Sequence, residues 1–201
     1  MTPTSYTSAG IAYDRAGPRG DLPVVLIHAG VAVEVALTRP ELVASLLLSA
    51  PGGSLIAAVT PHLRAFFEAE RSALADGDLE GAVEANLTWW VDGPKRDAGE
   101  IDPAVRNLVR QMQRRAFDVT ADWDDIEKSE LNPPALDRLA DIRVPAMALL
   151  GALDLDAIHD AARCVADGIP FARRVDWPDT AHLPSMERPD DFLALLREWL
   201  T

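Results

Sequence analysis

Three aliphatic runs too short to be helices constrain this chain more than any other feature. They are Pro23-Val-Val-Leu-Ile27, Leu46-Leu-Leu48 and the stretch 144–150, and none alternates apolar with polar residues. A strand with one wet face alternates, whereas a strand covered on both faces does not. Such strands belong in a parallel sheet with helices packed on it. The intervening segments supply those helices. Residues 31–39 read as a short helix stopped by Pro40. Asp156 is placed to cap a helix that runs to Asp167 and ends at Gly168. Pro189 and Asp190 open a last helix with Phe192, Leu195, Leu196 and Trp199 on one face. Two more strands are expected, at 11–14 and 171–176, and the run at Leu46 belongs to a strand within 42–49 closed by Pro51-Gly52-Gly53.

Between residues 54 and 134 the strand signals vanish. Leu63, Phe66, Phe67 and Leu74 share one helical face. Leu79, Val83, Leu87 and Trp90 form a second stripe, and Val105, Leu108, Val109 and Met112 a third, before Pro133-Pro134 ends the block. The expected fold class is therefore α/β: a reduced, mostly parallel sheet of about five strands flanked by helices, with an all-helical insertion. Residues 1–53 and 135–201 make the core and 54–134 the insertion. The strands at 11–14, 23–27, 42–49, 144–150 and 171–176 are expected side by side, with 23–27 and 42–49 directly paired, because an empty slot between them would orphan backbone groups at about 1–3 kcal/mol each.

Composition narrows the function classes. A chain of 201 residues, 48% of them hydrophobic, can bury its own core. Nineteen basic against thirty-two acidic residues give a net charge of −13, which argues against nucleic acid and anionic membranes as partners. The single cysteine, Cys164, excludes an intrachain disulfide, and beside Ile158, Ala161 and Val165 it reads as a packed apolar residue. The first residues lack a basic stretch followed by an apolar run, and no apolar run approaches the ~20 residues that span a bilayer, so a cytoplasmic chain is expected. No His, Cys or carboxylate cluster has metal-ligand spacing, and no glycine loop suits a phosphate; neither metal nor cofactor is expected. The edges of such a reduced sheet favour homo-oligomers.

Two residues carry the chemistry. Asp154 follows the strand that ends at Leu150-Gly151, and His182 follows the next strand, in Asp179-Thr-Ala-His182. In an open parallel sheet ligands bind beyond the carboxyl ends of strands, so two residues leaving adjacent ends can face each other. A carboxylate holding an imidazole makes a general base. Taken alone, such a pair is more often a loop carboxylate and a surface histidine. A third element is His28-Ala29-Gly30 at the end of the run 23–27, where backbone N–H groups could meet a developing oxyanion; it reads equally as a plain turn. His62 and His159 read as surface residues, and Ser54 and Ser185 as loop and capping residues.

Together, Val24-Val-Leu-Ile-His-Ala-Gly30, Val35-Ala-Leu-Thr-Arg-Pro-Glu-Leu-Val43, Ser45-Leu-Leu-Leu-Ser-Ala-Pro51, Gly151-Ala-Leu-Asp154 and Ala181-His182 through Glu187-Arg-Pro189 resemble the α/β-hydrolase family over nearly the whole chain. The resemblance implies Asp154 as triad acid, His182 as triad base, backbone N–H of Ala29 and Gly30 as oxyanion donors, and 54–134 as a lid. It implies a small apolar acyl substrate such as an ester or lactone. The chain departs from the family at one point: no Gly-x-Ser-x-Gly elbow occurs anywhere in it. Gly30 runs straight into Val31, as after an in-frame excision of two strand–helix units, on the order of sixty residues or more. Ala29 stands at the strand-to-helix corner where a nucleophile would be expected. Ser49 is the candidate replacement, although Pro51 suits an elbow helix poorly. The nucleophile is thus open: an unrecognised hydroxyl, or a water activated by the pair. The alternative is a non-catalytic relic that binds an apolar molecule or a protein partner.

Overall fold

The computed structural model describes residues 5–6, 12–13, 24, 28–121 and 131–201. The run 23–27, and with it the expected pairing to 42–49, lies largely outside them. Its strands and α-helices among these residues are β1 (Ser5–Tyr6), β2 (Ala12–Tyr13), α1 (Ala29–Thr38), β3 (Leu46–Ser49), α2 (Pro61–Ala75), α3 (Leu79–Asn86), α4 (Pro103–Thr120), β4 (Ala146–Gly151), α5 (Asp156–Gly168), β5 (Ala172–Trp177), α6 (Pro184–Glu187) and α7 (Pro189–Trp199).

Among the described residues three strands form a parallel sheet in the order β3-β4-β5, against the five expected side by side; β3 and β4 carry aliphatic runs, and β5 is a half-exposed edge strand. Leu46 stands opposite Ala146 and Ser49 opposite Leu149, while Ala146 stands opposite Ala172 and Gly151 opposite Trp177. β4 is central and buried at all six positions, which explains its lack of alternation. Ala146, Ala148 and Leu150 face a cluster that contains Val33 and Ala36 of α1 and Ala157, Ile158, Ala161, Ala162 and Val165 of α5. Met147 and Leu149 point to the opposite side and are equally buried. Cys164 packs partly buried against the same cluster. The expected first strand has a different partner: Ala12–Tyr13 pairs antiparallel with Ser5–Tyr6 in a separate two-stranded ladder.

The described part of the segment between β3 and β4 is helical, with three departures from its apolar stripes. On α2, Leu63 and Phe66 are buried, but Phe67 and Leu74 are exposed. On α4, Leu108 and Met112 are exposed and no residue is fully buried. Helix α3 passes into a wider π turn over Leu87–Asp92. Two tethers fasten the insertion. Thr60, the N-cap of α2, donates its hydroxyl to Asp156 Oδ1 at 2.5 Å, and His62 Nδ1 lies 3.1 Å from Asp156 Oδ2. Asp156 is thus not the helix cap; Leu155 holds that position, and the carboxylate in the first turn of α5 is engaged by α2. His62 is the surface residue expected, and it also contacts Asp156. No helix among the described residues is long and apolar enough to cross a membrane.

A charge network joins α3, the π turn and α4. Arg106 donates to Asp92 through Nε and Nη2, both at 3.0 Å, and also to Glu84; Arg110 Nη2 donates to Glu84 at 2.8 Å. The Arg106 hydrogen bond, assisted by Arg110, holds the Glu84 carboxyl below its ordinary value of 4.5 against the opposing effect of burial. A carboxyl depressed in the folded state stabilises above its unfolded pKa, and that contribution is lost as pH falls through the folded value. Melting temperature is therefore expected to fall more steeply between about pH 5 and about pH 3 in the native protein than in Glu84→Gln. Equal slopes in the two proteins would count against the network.

Candidate active site

β4 ends in glycine because the chain beyond it has no room for a side chain. A Cβ on Gly151 would run into the carbonyl oxygens of Thr180 and Ala181. The turns after β4 and β5 are therefore in backbone contact. Ala152 N–H donates to the Trp177 carbonyl at 2.8 Å, and Leu153 N–H donates to the Thr180 carbonyl at 3.0 Å. This lacing brings Asp154 and His182 together at the carboxyl edge of the sheet. Asp154 Oδ2 lies 2.9 Å from His182 Nδ1. The Asp154 carboxylate is fully buried, and its other oxygen accepts the Leu155 N–H at 2.7 Å. An ionised carboxylate only accepts hydrogen bonds, so the neutral imidazole carries its proton on Nδ1 and leaves the Nε2 lone pair free. The imidazole is 26% exposed, enough for access from outside.

The insertion supplies the wall. The Trp90 ring lies 4.6 Å from the His182 ring, centroid to centroid, and the Trp90 carbonyl accepts the His182 N–H at 3.3 Å. Phe66 of α2 meets Trp90 edge-on at 5.2 Å. Gly93 closes the π turn at φ +78°, where a Cβ would strike the Leu153 carbonyl and crowd Ala181. Sequence periodicity assigns Trp90 to a core stripe with Val83 and Leu87. Trp90 packs partly buried on the core cluster and, from the π turn, also meets the histidine; single-turn π segments of this kind recur at functional sites.

The other expected site residues lie at the same edge of the sheet. Ala29 and Gly30 open α1, behind His28 as N-cap. A Cβ on Gly30 would come within 2.7 Å of Ser54 Oγ, so the start of α1 abuts the turn that follows β3. The His28 ring fills the space beside Gly53. First-turn amides of a helix have no intrahelical acceptor, and α1 has no side-chain cap. Ser49 ends β3 half-buried, and Ala50 then turns sharply at φ 47°. Ser54, expected as an ordinary loop residue, buries its hydroxyl without a hydrogen-bond partner among the described residues. No hydroxyl or thiol among the described residues hydrogen-bonds the His182 ring; its side-chain partner is Asp154. Nor does any group of three or more His, Cys, Asp or Glu among them form a metal-ion cluster.

Comparison by sequence finds no matching protein-family model and no matching curated protein. Comparison by structure finds several solved folds like this one. An N-acyl homoserine lactone degrading enzyme, Est816, superposes with a TM-score of 0.60 at 21% identity, over 84% of this chain and 62% of that one. MenH from S. aureus gives a TM-score of 0.64 at 19% identity, over 86% and 64%. Naproxen esterase from Bacillus subtilis gives 0.57 at 21%, over 86% and 56%. The chain thus spans about 60% of the length of the structures it resembles.

Proposed function

We propose that this chain, which carries the α/β-hydrolase fold, hydrolyses a small apolar ester, lactone or related acyl compound, with His182 as general base and Asp154 as the group that orients it. The 2.9 Å contact between a fully buried carboxylate and a partly exposed imidazole carries the reading. The helical segment 54–134 acts as the lid over a core formed by 1–53 and 135–201; the stack of Phe66, Trp90 and His182 supports this, since it puts insertion side chains against the base.

No serine hydrogen-bonds the ring among the described residues, and in this reading water is the attacking group. His182 Nε2 takes a proton from water as the oxygen bonds to the acyl carbon, and the imidazolium formed is stabilised by the Asp154 carboxylate. The carbonyl oxygen gathers negative charge, which the amides of Ala29 and Gly30 at the start of α1 are suited to receive. The tetrahedral intermediate then expels the alkoxide, which recovers the proton from His182 Nε2. The products are a carboxylic acid and an alcohol, or one hydroxy acid from a lactone. General-base assistance is worth about 10²–10⁴-fold. His182→Ala is therefore expected to lower kcat/KM on a p-nitrophenyl acyl ester by that factor, and a serine-directed phosphonate is expected to leave the native protein unlabelled. Turnover unchanged by His182→Ala would sink the reading; phosphonate labelling would replace water with an enzyme hydroxyl.

One observation favours a second reading. Ala29, which has no hydroxyl, opens α1, and among the described residues no hydroxyl meets the imidazole, which suits a protein that binds an apolar acyl compound without cleaving it. Under that reading a fluorescent fatty-acyl probe binds native protein and His182→Ala equally, with no hydrolysis by either.

A further inference from the structure

Arg96 and Glu187 form a buried ion pair beside the site, with Nη1 2.8 Å from Oε2 and side chains only 9% and 8% exposed. Pairs of this kind are poor stabilisers, because the cost of removing two charges from water rivals their attraction. The positions of the remaining donors and acceptors give this pair a different role. Arg96 Nε donates to the Asp92 carbonyl at 3.0 Å and Nη2 to the Val91 carbonyl at 2.8 Å. Both carbonyls belong to the π turn that carries Trp90. Arg96 Nη1 also donates to the Asp179 carbonyl at 3.0 Å, at the start of the loop that leads to His182. Glu187 Oε1 accepts the N–H of Ala181, the residue immediately before the histidine, at 2.8 Å.

One guanidinium and one carboxylate thus hold two backbone segments in register. One segment supplies the imidazole and the other supplies the indole ring and carbonyl that touch it. Only a planar guanidinium can serve these four acceptors at once; an ammonium group has neither the reach nor the fork. We propose that the Arg96–Glu187 ion pair is a positioning device that holds His182 between Asp154 and Trp90, so that Nδ1 faces the carboxylate and Nε2 is presented outward. The proposal rests on the reading of His182 as the base, although neither residue of the pair touches the reacting atoms.

The test is the tautomer of His182 followed by 15N NMR at mildly alkaline pH. A held imidazole carries its proton on Nδ1, whereas an unheld one carries it mostly on Nε2. Native protein is expected to show the Nδ1–H form. Arg96→Met and Glu187→Gln are expected to shift His182 toward the Nε2–H form while the amide spectrum of α5 stays native. Glu187→Gln keeps an oxygen for the Ala181 N–H, so it carries the test if Arg96→Met fails to fold. An unchanged Nδ1–H signal in the folded variants would overturn the clamp and leave the Asp154–His182 pair standing. A native protein already in the Nε2–H form would overturn the pair itself, and the clamp with it.

Discussion

Gly151→Ala is expected to be the most damaging one-carbon change in the chain. The added methyl would press on the carbonyl oxygens of both Thr180 and Ala181. Neither atom is the end of a flexible side chain. Both belong to a loop already fixed by Leu153 N–H on the Thr180 carbonyl, by Glu187 on the Ala181 N–H and by the near-complete burial of Thr180 and Ala181. On the other side stands β4, buried at every position and paired on both edges. The clash can be relieved only by parting the turns after β4 and β5. Overpacking of well-filled sites costs about 1–3 kcal/mol, and relief through backbone places this case at about 3 kcal/mol or more. A lower urea midpoint with an unchanged slope would register it. The same displacement should separate His182 from Asp154, so ester hydrolysis should fall with it. Gly99→Ala is the control: nothing lies within 4 Å of a Cβ there, and a change within about 0.5 kcal/mol is expected. Equal midpoints for the two variants would show that the acid and histidine turns are not locked together.

How much of this site could be read from residue order follows from the range of the interactions involved. Asp154 and His182 were legible because each leaves the carboxyl end of an aliphatic strand, and parallel strands bring such ends to one edge. The elements themselves were legible for a similar reason. The 144–150 run and the 156–167 periodicity are local patterns, and β4 and α5 fall within a residue or two of them. What escaped was long-range or irregular. Asp156 looks like a cap, yet its carboxylate is held by Thr60 and His62, more than ninety residues earlier. The stripe containing Leu108 and Met112 marks the apolar face of α4, but periodicity does not say whether anything covers that face; among the described residues both stay exposed. Trp90 packs partly buried on the core as its stripe predicts, but its contact with His182 lies beyond the reach of a 3.6-residue period because the segment winds more widely. Arg96 had no signal at all: its value lies in backbone carbonyls from two separate segments. A run of two tryptophans followed by Gly93-Pro94 was the one local hint that the helix ends in something other than solvent.

Arg106→Met should loosen the insertion without touching the acid–base pair. Arg106 is mostly buried and meets a nearly inaccessible Asp92 in a forked arrangement, Nε to Oδ1 and Nη2 to Oδ2, both at 3.0 Å. Its guanidinium pKa is raised, chiefly by the hydrogen bond to Asp92, although burial opposes the rise. Removing it strands the Asp92 carboxylate between the π turn and α4, with no second cation on its oxygens among the described residues. Breaking one side of a buried pair costs about 3–5 kcal/mol, mostly from the charge left behind. The origin of the loss can be separated from simple loss of packing. Asp92→Asn in the Arg106→Met background removes the stranded charge, so the double variant should recover a large part of the stability lost by Arg106→Met alone. Because Asp92 ends the π turn that places Trp90 against His182, tryptophan fluorescence should report the loosening. The Arg96–Glu187 pair still ties the loop that carries His182, so the histidine tautomer should persist in the fraction that remains folded. A double variant as unstable as Arg106→Met would assign the loss to the aliphatic packing of the arginine rather than to the uncompensated carboxylate.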